Sequence, residues 1–284
     1  MPLTRPVVVT TLLLAGGLTS AHPAHAAASN WITTDFSQLR LVTAHDSVTA
    51  SGELEVGVQI RLGEGWKTYW RNPGDAGLPT SFDWSASRNV RNVALAWPAP
   101  KRIPFEGLDS YGYEDEVVFP VRLRAARPGE SVRINLDVNY AVCKDICVPL
   151  GANVRLEIPA GVSDDGSVTR AHRALIRHFA ARVPTRHSSD MDIVEASVAA
   201  DSGGKILRLR AEARPSFDDL DVFVEGPADV FFGRPKIDLG DDPRTAVVEL
   251  SIDGAGSADG TPQPLTITLV DGARAVERTV VPTH

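Results

Sequence analysis

The sequence predicts an all-β protein, with two sandwich domains joined by a short helical linker, and three observations carry that expectation. Apolar and polar residues alternate with period two through most of the chain, the mark of half-buried strands. Gly, Pro, Asn and Asp cluster between the alternating runs, where turn chemistry ends a ladder. One central stretch changes to helical spacing instead.

The opening residues, MPLTRPVVVTTLLLAGGLTSAHPAHAAASN, combine an early Arg, an apolar run from Val7 to Leu18 and an A-x-A arrangement at Ala24-His25-Ala26. That layout predicts a signal peptide over residues 1–28, cleaved near Ala26 or Ala28, and hence an exported protein. The apolar run falls short of the roughly 20 residues that span a bilayer. The rest of the chain is long enough for two domains of about 100 to 150 residues each.

The first of these is expected over residues 29–160. In ELEVGVQIRL, Leu54, Val56, Val58, Ile60 and Leu62 fall on one face and Glu53, Glu55, Gln59 and Arg61 on the other. VVFPVRLRA, SVRINLDVNYAV and ANVRLEIPA repeat the alternation, as antiparallel strands with one solvated face do. RNPGDAGLPTS and WPAPKRIPFEGLDSYGYEDE read as loops. The pattern is that of an immunoglobulin-like sandwich. Residues 161–186 form the linker: Ser167 is placed to cap a helix, Ala171, Leu175, Ile176 and Phe179 share a face, and Pro184 stops it. His172 and His178, six apart, read as solvated. Alternation returns in KILRLRAEA, DLDVFVEG, RTAVVELSI and PLTITLVDGARAVERTVVP, which predict a second sandwich over residues 187–284. Asp271-Gly272 is a strong hairpin signal.

A net charge of -7 and no Lys/Arg run argue against nucleic acid as a partner. A monomer is expected, with no bound cofactor or metal required. Trp66, Tyr69, Trp70, Trp84 and Trp97 read as core and loop packing rather than a sugar platform. Glu106, Asp109, Glu114, Asp115 and Glu116 read as a solvated acidic stretch.

Chemistry concentrates in NYAVCKDICVPL, which holds the chain's two cysteines, Cys143 and Cys147. They stand at a β-hairpin turn, in a C-x₃-C spacing, and three readings are open. A permanent staple across so short a loop contributes only about 2 kcal/mol. A Cu(I) site using two thiolates lacks a nearby His or Met to complete it. A redox pair fits two sulfurs close together on an exposed turn in an oxidising compartment. Lys144 favours a thiolate electrostatically and Asp145 opposes it.

Three stretches, GWKTYWRNPGDAGLPTSFDW, WPAPKRIPFEGLDSYGYEDEVVFPVRL and NYAVCKDICVPL, together resemble the N-terminal periplasmic domain of the thiol:disulfide interchange protein DsbD, in its ScsB-like subgroup. The resemblance implies a periplasmic domain that takes electrons from an integral-membrane donor and passes them to thioredoxin-fold acceptors through Cys143 and Cys147. It also implies a cap loop, with Phe105 over the sulfurs and Gly107 in its turn; Tyr111 and Tyr113 are expected to line the same site. DsbD carries membrane and thioredoxin-like domains that this sequence does not show, so the donor is expected to be a separate protein. Disulfide isomerisation, cytochrome c biogenesis and copper tolerance are the processes the resemblance suggests. A binding module with a structural disulfide, and a Cu(I)-binding protein, are the competing readings.

Overall fold

The computed structural model describes residues 27–48, 50–105, 107–161, 167–201, 204–254 and 263–283. The expected signal peptide, residues 1–28, lies outside that set except for Ala27 and Ala28, which run along the edge of the first sheet: Ala28 bridges Val42 and the Ala27 carbonyl accepts the Thr43 N–H.

Strands are numbered along the chain. One sheet of the first sandwich orders β1 (Ile32–Thr33), β2 (Ser37–Thr43), β3 (Glu53–Leu62), β9 (Glu116–Ala125) and β6 (Val90–Leu95). The other orders β11 (Cys147–Ile158), β10 (Val132–Cys143), β4 (Lys67–Gly74), β8 (Leu108–Glu114) and β7 (Lys101–Phe105), with β5 (Ser81–Asp83) also paired to β10. All these pairs are antiparallel. Alternation buries Leu54, Val56, Val58 and Ile60 of β3 against Ile134, Leu136 and Val138 of β10, in one continuous core.

The expected solvated face of β3 is covered at its middle, at Gly57 and Gln59, while Glu53 and Arg61 stay exposed. Helix α1 (Ser167–Ala180) lays Ile176 and Phe179 on it, so the linker is also part of the first core. Gly57 permits this approach: a Cβ there would stand 2.6 Å from Val118 and 3.1 Å from Ile176. Gln59, fully buried, stays satisfied between Arg40 and Glu116, at 2.7 and 2.6 Å. His172 is half-buried rather than solvated, and burial lowers its pKa.

Two stretches read as loops contain strands. β4 runs through WRNPG, and β7 and β8 form a hairpin within KRIPFEGLDSYGYE. Gly112 explains how β8 fits beside β4, because a Cβ there would stand 2.0 Å from the Thr68 carbonyl oxygen.

The second sandwich pairs β12 (Met191–Asp201), β13 (Gly204–Ala213), β17 (Thr245–Gly254) and β15 (Val230–Phe232), with β16 (Lys236–Asp238) also on β17. Its other sheet is β14 (Leu220–Glu225), β18 (Leu265–Asp271) and β19 (Arg274–Val280). The predicted hairpin is present, shifted by one residue. Asp271 pairs with Arg274 as the last rung, so the turn is Gly272-Ala273 and the buried Asp271 carboxylate caps the N–H groups of Asp218 and Asp219.

The two sandwiches share a packed boundary. Phe223 of β14 is 1% exposed and meets the rings of Trp70 on β4 and Tyr111 on β8, at 6.0 and 4.9 Å. Around it, Arg71 pairs with Glu225 and Glu277, and Arg102 with Asp221. Arg234 reaches back to Asp109.

Candidate functional site

Cys143 closes β10 and Cys147 opens β11; the two face each other as the last rung of the hairpin and form a disulfide. Lys144, Asp145 and Ile146 make the turn between them, where the Lys144 N–H donates to the Ile146 carbonyl. The two sulfurs differ in surroundings. Cys143 is 2% exposed, whereas Cys147 is open to solvent and Ile146 beside it is 65% exposed.

Strand parity explains the burial of Cys143. Val138, Tyr140 and Val142 of β10 point into the sandwich, so Ala141 and Cys143 lie on the outer face. β4 runs alongside with Lys67 directly opposite Cys143, which puts Lys67 and Tyr69 on that same face. Tyr69 covers Cys143 and Ala141. Its hydroxyl donates to Cys143 Sγ at 2.7 Å and stands 3.4 Å from Cys147 Sγ. Burial raises the phenol pKa, against a hydrogen bond to Ser110, so the group stays a donor through and above the neutral range. Gly77 completes the cover. Its φ of 143° and a notional Cβ only 2.3 Å from the Tyr69 ring show that the loop after β4 lies flat on that ring.

Charge around the pair is mixed. Lys67 sits between Cys143 and Glu114 in register, and its pKa is lowered by burial, with Glu114 opposing. Lys144 points elsewhere, its ammonium donating to the Glu64 carbonyl at 3.2 Å. Among the described residues no group of three or more His, Cys, Asp or Glu side chains is close enough to hold a metal ion.

The expected lining residues do not all lie at the sulfurs. Phe105 ends β7 and its backbone pairs with Leu108; its side chain and all of Glu106 lie outside the described residues. Gly107, with φ of 83°, takes a left-handed turn position. Tyr111 and Tyr113 are not at the sulfurs. Tyr113 pairs with Thr68, one residue out of step with Lys67, so both tyrosines point to the core face, away from Cys143. Tyr113 packs on Phe119 and donates to the Pro98 carbonyl, while Tyr111 meets Phe223. Tyr69, grouped from sequence with the packing aromatics, is the tyrosine at the site. Only the pairing of β4 with β10 reveals it.

Residues 38–157 match the family model of the thiol:disulfide interchange protein DsbD, N-terminal. This part of the chain is a DsbD N-terminal domain. Residues 182–284 match a domain of unknown function, DUF8393. Among solved structures, the N-terminal periplasmic domain of ScsB from Proteus mirabilis superposes with a TM-score of 0.71 at 20% identity, covering 91% of this chain and 99% of that one. At that identity the likeness speaks for the fold. No curated protein matches in sequence. The disulfide on the outer face of β10 lies within the matched residues 38–157, and the structural superposition, over 91% of this chain, takes in most of the second sandwich as well.

Proposed function

We propose that this is a periplasmic thiol-disulfide exchange protein, relaying electrons from an integral-membrane donor to thioredoxin-fold acceptors through Cys143 and Cys147. The observation that carries the reading is the asymmetry of the pair, with Cys147 open to solvent and Cys143 buried under the Tyr69 hydroxyl. An incoming donor thiolate attacks Cys147 Sγ, forming a mixed disulfide and releasing Cys143 as a thiolate, toward which Tyr69 already points its proton. The donor's second thiolate then displaces Cys147, leaving the donor oxidised and the pair reduced by two electrons and two protons. In the forward direction Cys147 attacks the acceptor disulfide, and Cys143 resolves the mixed disulfide and releases the acceptor dithiol. No bound cofactor enters this chemistry.

The family resemblance supports a cap role for Phe105, at the end of β7 where the hairpin turns through Gly107. Replacing Phe105 by Ala is expected to speed alkylation of the reduced thiols by a small reagent; an unchanged rate would remove the cap from the mechanism.

The reading as a whole is tested by the reduction potential of the pair in thiol buffers. A value of about -180 to -270 mV supports a relay, whereas one well below about -300 mV means a structural bridge. A Cys143→Ala variant, which keeps the exposed sulfur, is expected to trap acceptors as mixed disulfides.

A further inference from the structure

Resting on the exchange reading above, we infer that the second sandwich is part of the redox site, and that Arg234 is a positioning residue for Tyr69 and the disulfide. Arg234 lies between β15 and β16, outside the DsbD-type domain. It clamps the Asp109 carboxylate with two bonds, Nε to Oδ2 at 2.8 Å and Nη2 to Oδ1 at 2.5 Å. Asp109 is buried, its side chain 8% exposed, and Arg102 holds it from the other side at 3.1 Å.

From Asp109 a continuous set of contacts leads to the sulfur. The Asp109 N–H donates to the Asp75 carboxylate and the Asp75 N–H to the Asp109 carbonyl, each at 2.8 Å. Asp75 starts the loop that carries Gly77 against the Tyr69 ring, and the next rung is tied as well, Ser110 Oγ to the Ala76 carbonyl at 3.1 Å. At its far end Thr80 Oγ1 donates to the Tyr69 carbonyl at 3.3 Å. Tyr69 then donates to Cys143 Sγ. The second sandwich also grips β4 itself, since Arg71, two residues after Tyr69, pairs with Glu225 and Glu277.

A phenol that must present its proton to one sulfur needs its ring held on both sides. Strand β4 holds one side and the Asp75–Thr80 loop the other; Arg234 secures that loop from a different domain. Spatial continuity alone does not establish coupling, so the test is energetic. The full mature chain is compared as wild type, Arg234→Ala, Arg234→Lys, Tyr69→Phe and the Arg234→Ala/Tyr69→Phe double variant, reading the rate at which dithiothreitol reduces the disulfide. Arg208→Ala, which breaks the exposed Arg208–Glu249 pair on the same sandwich, serves as control.

Arg234→Ala is expected to slow reduction by about three- to tenfold, the equivalent of one hydrogen bond. Arg234→Lys restores part of the rate, and Arg234→Ala adds nothing once Tyr69 is Phe. Unchanged kinetics in Arg234→Ala, equal slowing in Arg208→Ala, or full additivity with Tyr69→Phe overturns the inference and leaves the exchange reading intact. A wild-type disulfide that dithiothreitol does not reduce overturns both.

Discussion

At the residue scale the site is a contrast between two sulfurs and one hydroxyl. In the proposed exchange the Cys143 thiolate leaves into a hydrogen bond, while Cys147 meets the partner. Tyr69→Phe keeps the ring and removes the donor. A hydrogen bond to a charged group contributes about 1.5–3 kcal/mol, so reduction by a small dithiol is expected to slow by roughly ten- to a hundredfold. Losing a donor to the charged form raises the thiol pKa; the pH profile of alkylation of reduced Cys143 should therefore move to higher pH, and the pair should become harder to reduce. A profile that stays in place would remove Tyr69 from the chemistry. The burial contrast makes a second prediction for the reduced single-cysteine proteins: Cys143→Ala, with Cys147 left, reacts quickly with iodoacetamide, and Cys147→Ala reacts markedly more slowly. The disulfide pair was legible in the sequence because cysteines are rare there. Tyr69 was not, since an aromatic in an alternating run looks the same whether it faces a core or a sulfur.

At the element scale the site depends on how β4, β10 and the loop after β4 lie together. Gly77→Ala is informative because its backbone is left-handed and its notional Cβ meets Tyr69. Overpacking of this kind costs about 1–3 kcal/mol, which should appear as a lower denaturant midpoint together with slower disulfide reduction. A stability loss with unchanged reduction kinetics would show that the loop does not hold the phenol. The strands with clean alternation, β3, β9, β10 and β11, were readable, because each has one apolar face toward the core. β4, β7 and β8 were hidden by Pro and Gly within them. β8 is buried along most of its length and needs Gly112 for close approach to β4, so the turn-like letter in the sequence marks a crowded strand.

At the scale of the whole molecule the boundary between the sandwiches sets how the protein unfolds. Phe223 is buried among first-sandwich aromatics, and Phe→Ala in such a setting costs about 3–5 kcal/mol. Calorimetry of the wild-type chain is expected to show one cooperative transition; Phe223→Ala should lower it and begin to separate the two halves. Two well-resolved wild-type transitions would contradict this coupling. Acid should act at the same boundary. The guanidinium of Arg234, ahead of Arg102, holds the Asp109 carboxyl below its ordinary pKa of 3.8. A carboxyl depressed in the folded state contributes stability that is complete above its unfolded pKa and is lost as pH falls through the folded one. The boundary should therefore tighten fully above about pH 5 and loosen below about pH 4. The Asp109→Asn variant should flatten that part of a stability profile, as read by urea midpoints.

By itself the sequence determined that this chain is all-β, where most of its strands run, and that its two cysteines meet at a hairpin turn. Period-two alternation and the scarcity of cysteine are local properties, readable one segment at a time. Tertiary structure alone decided which sulfur is exposed, which tyrosine bonds the buried one, and that Arg234 of the second sandwich reaches the Asp109 carboxylate. Those facts depend on strand register and sheet order, which bring together residues as distant as Tyr69, Cys143 and Arg234. A shift of one residue in pairing turns a side chain from one face to the other, and it is this parity that puts Tyr69 on the sulfurs and sends Tyr111 and Tyr113 to the opposite face.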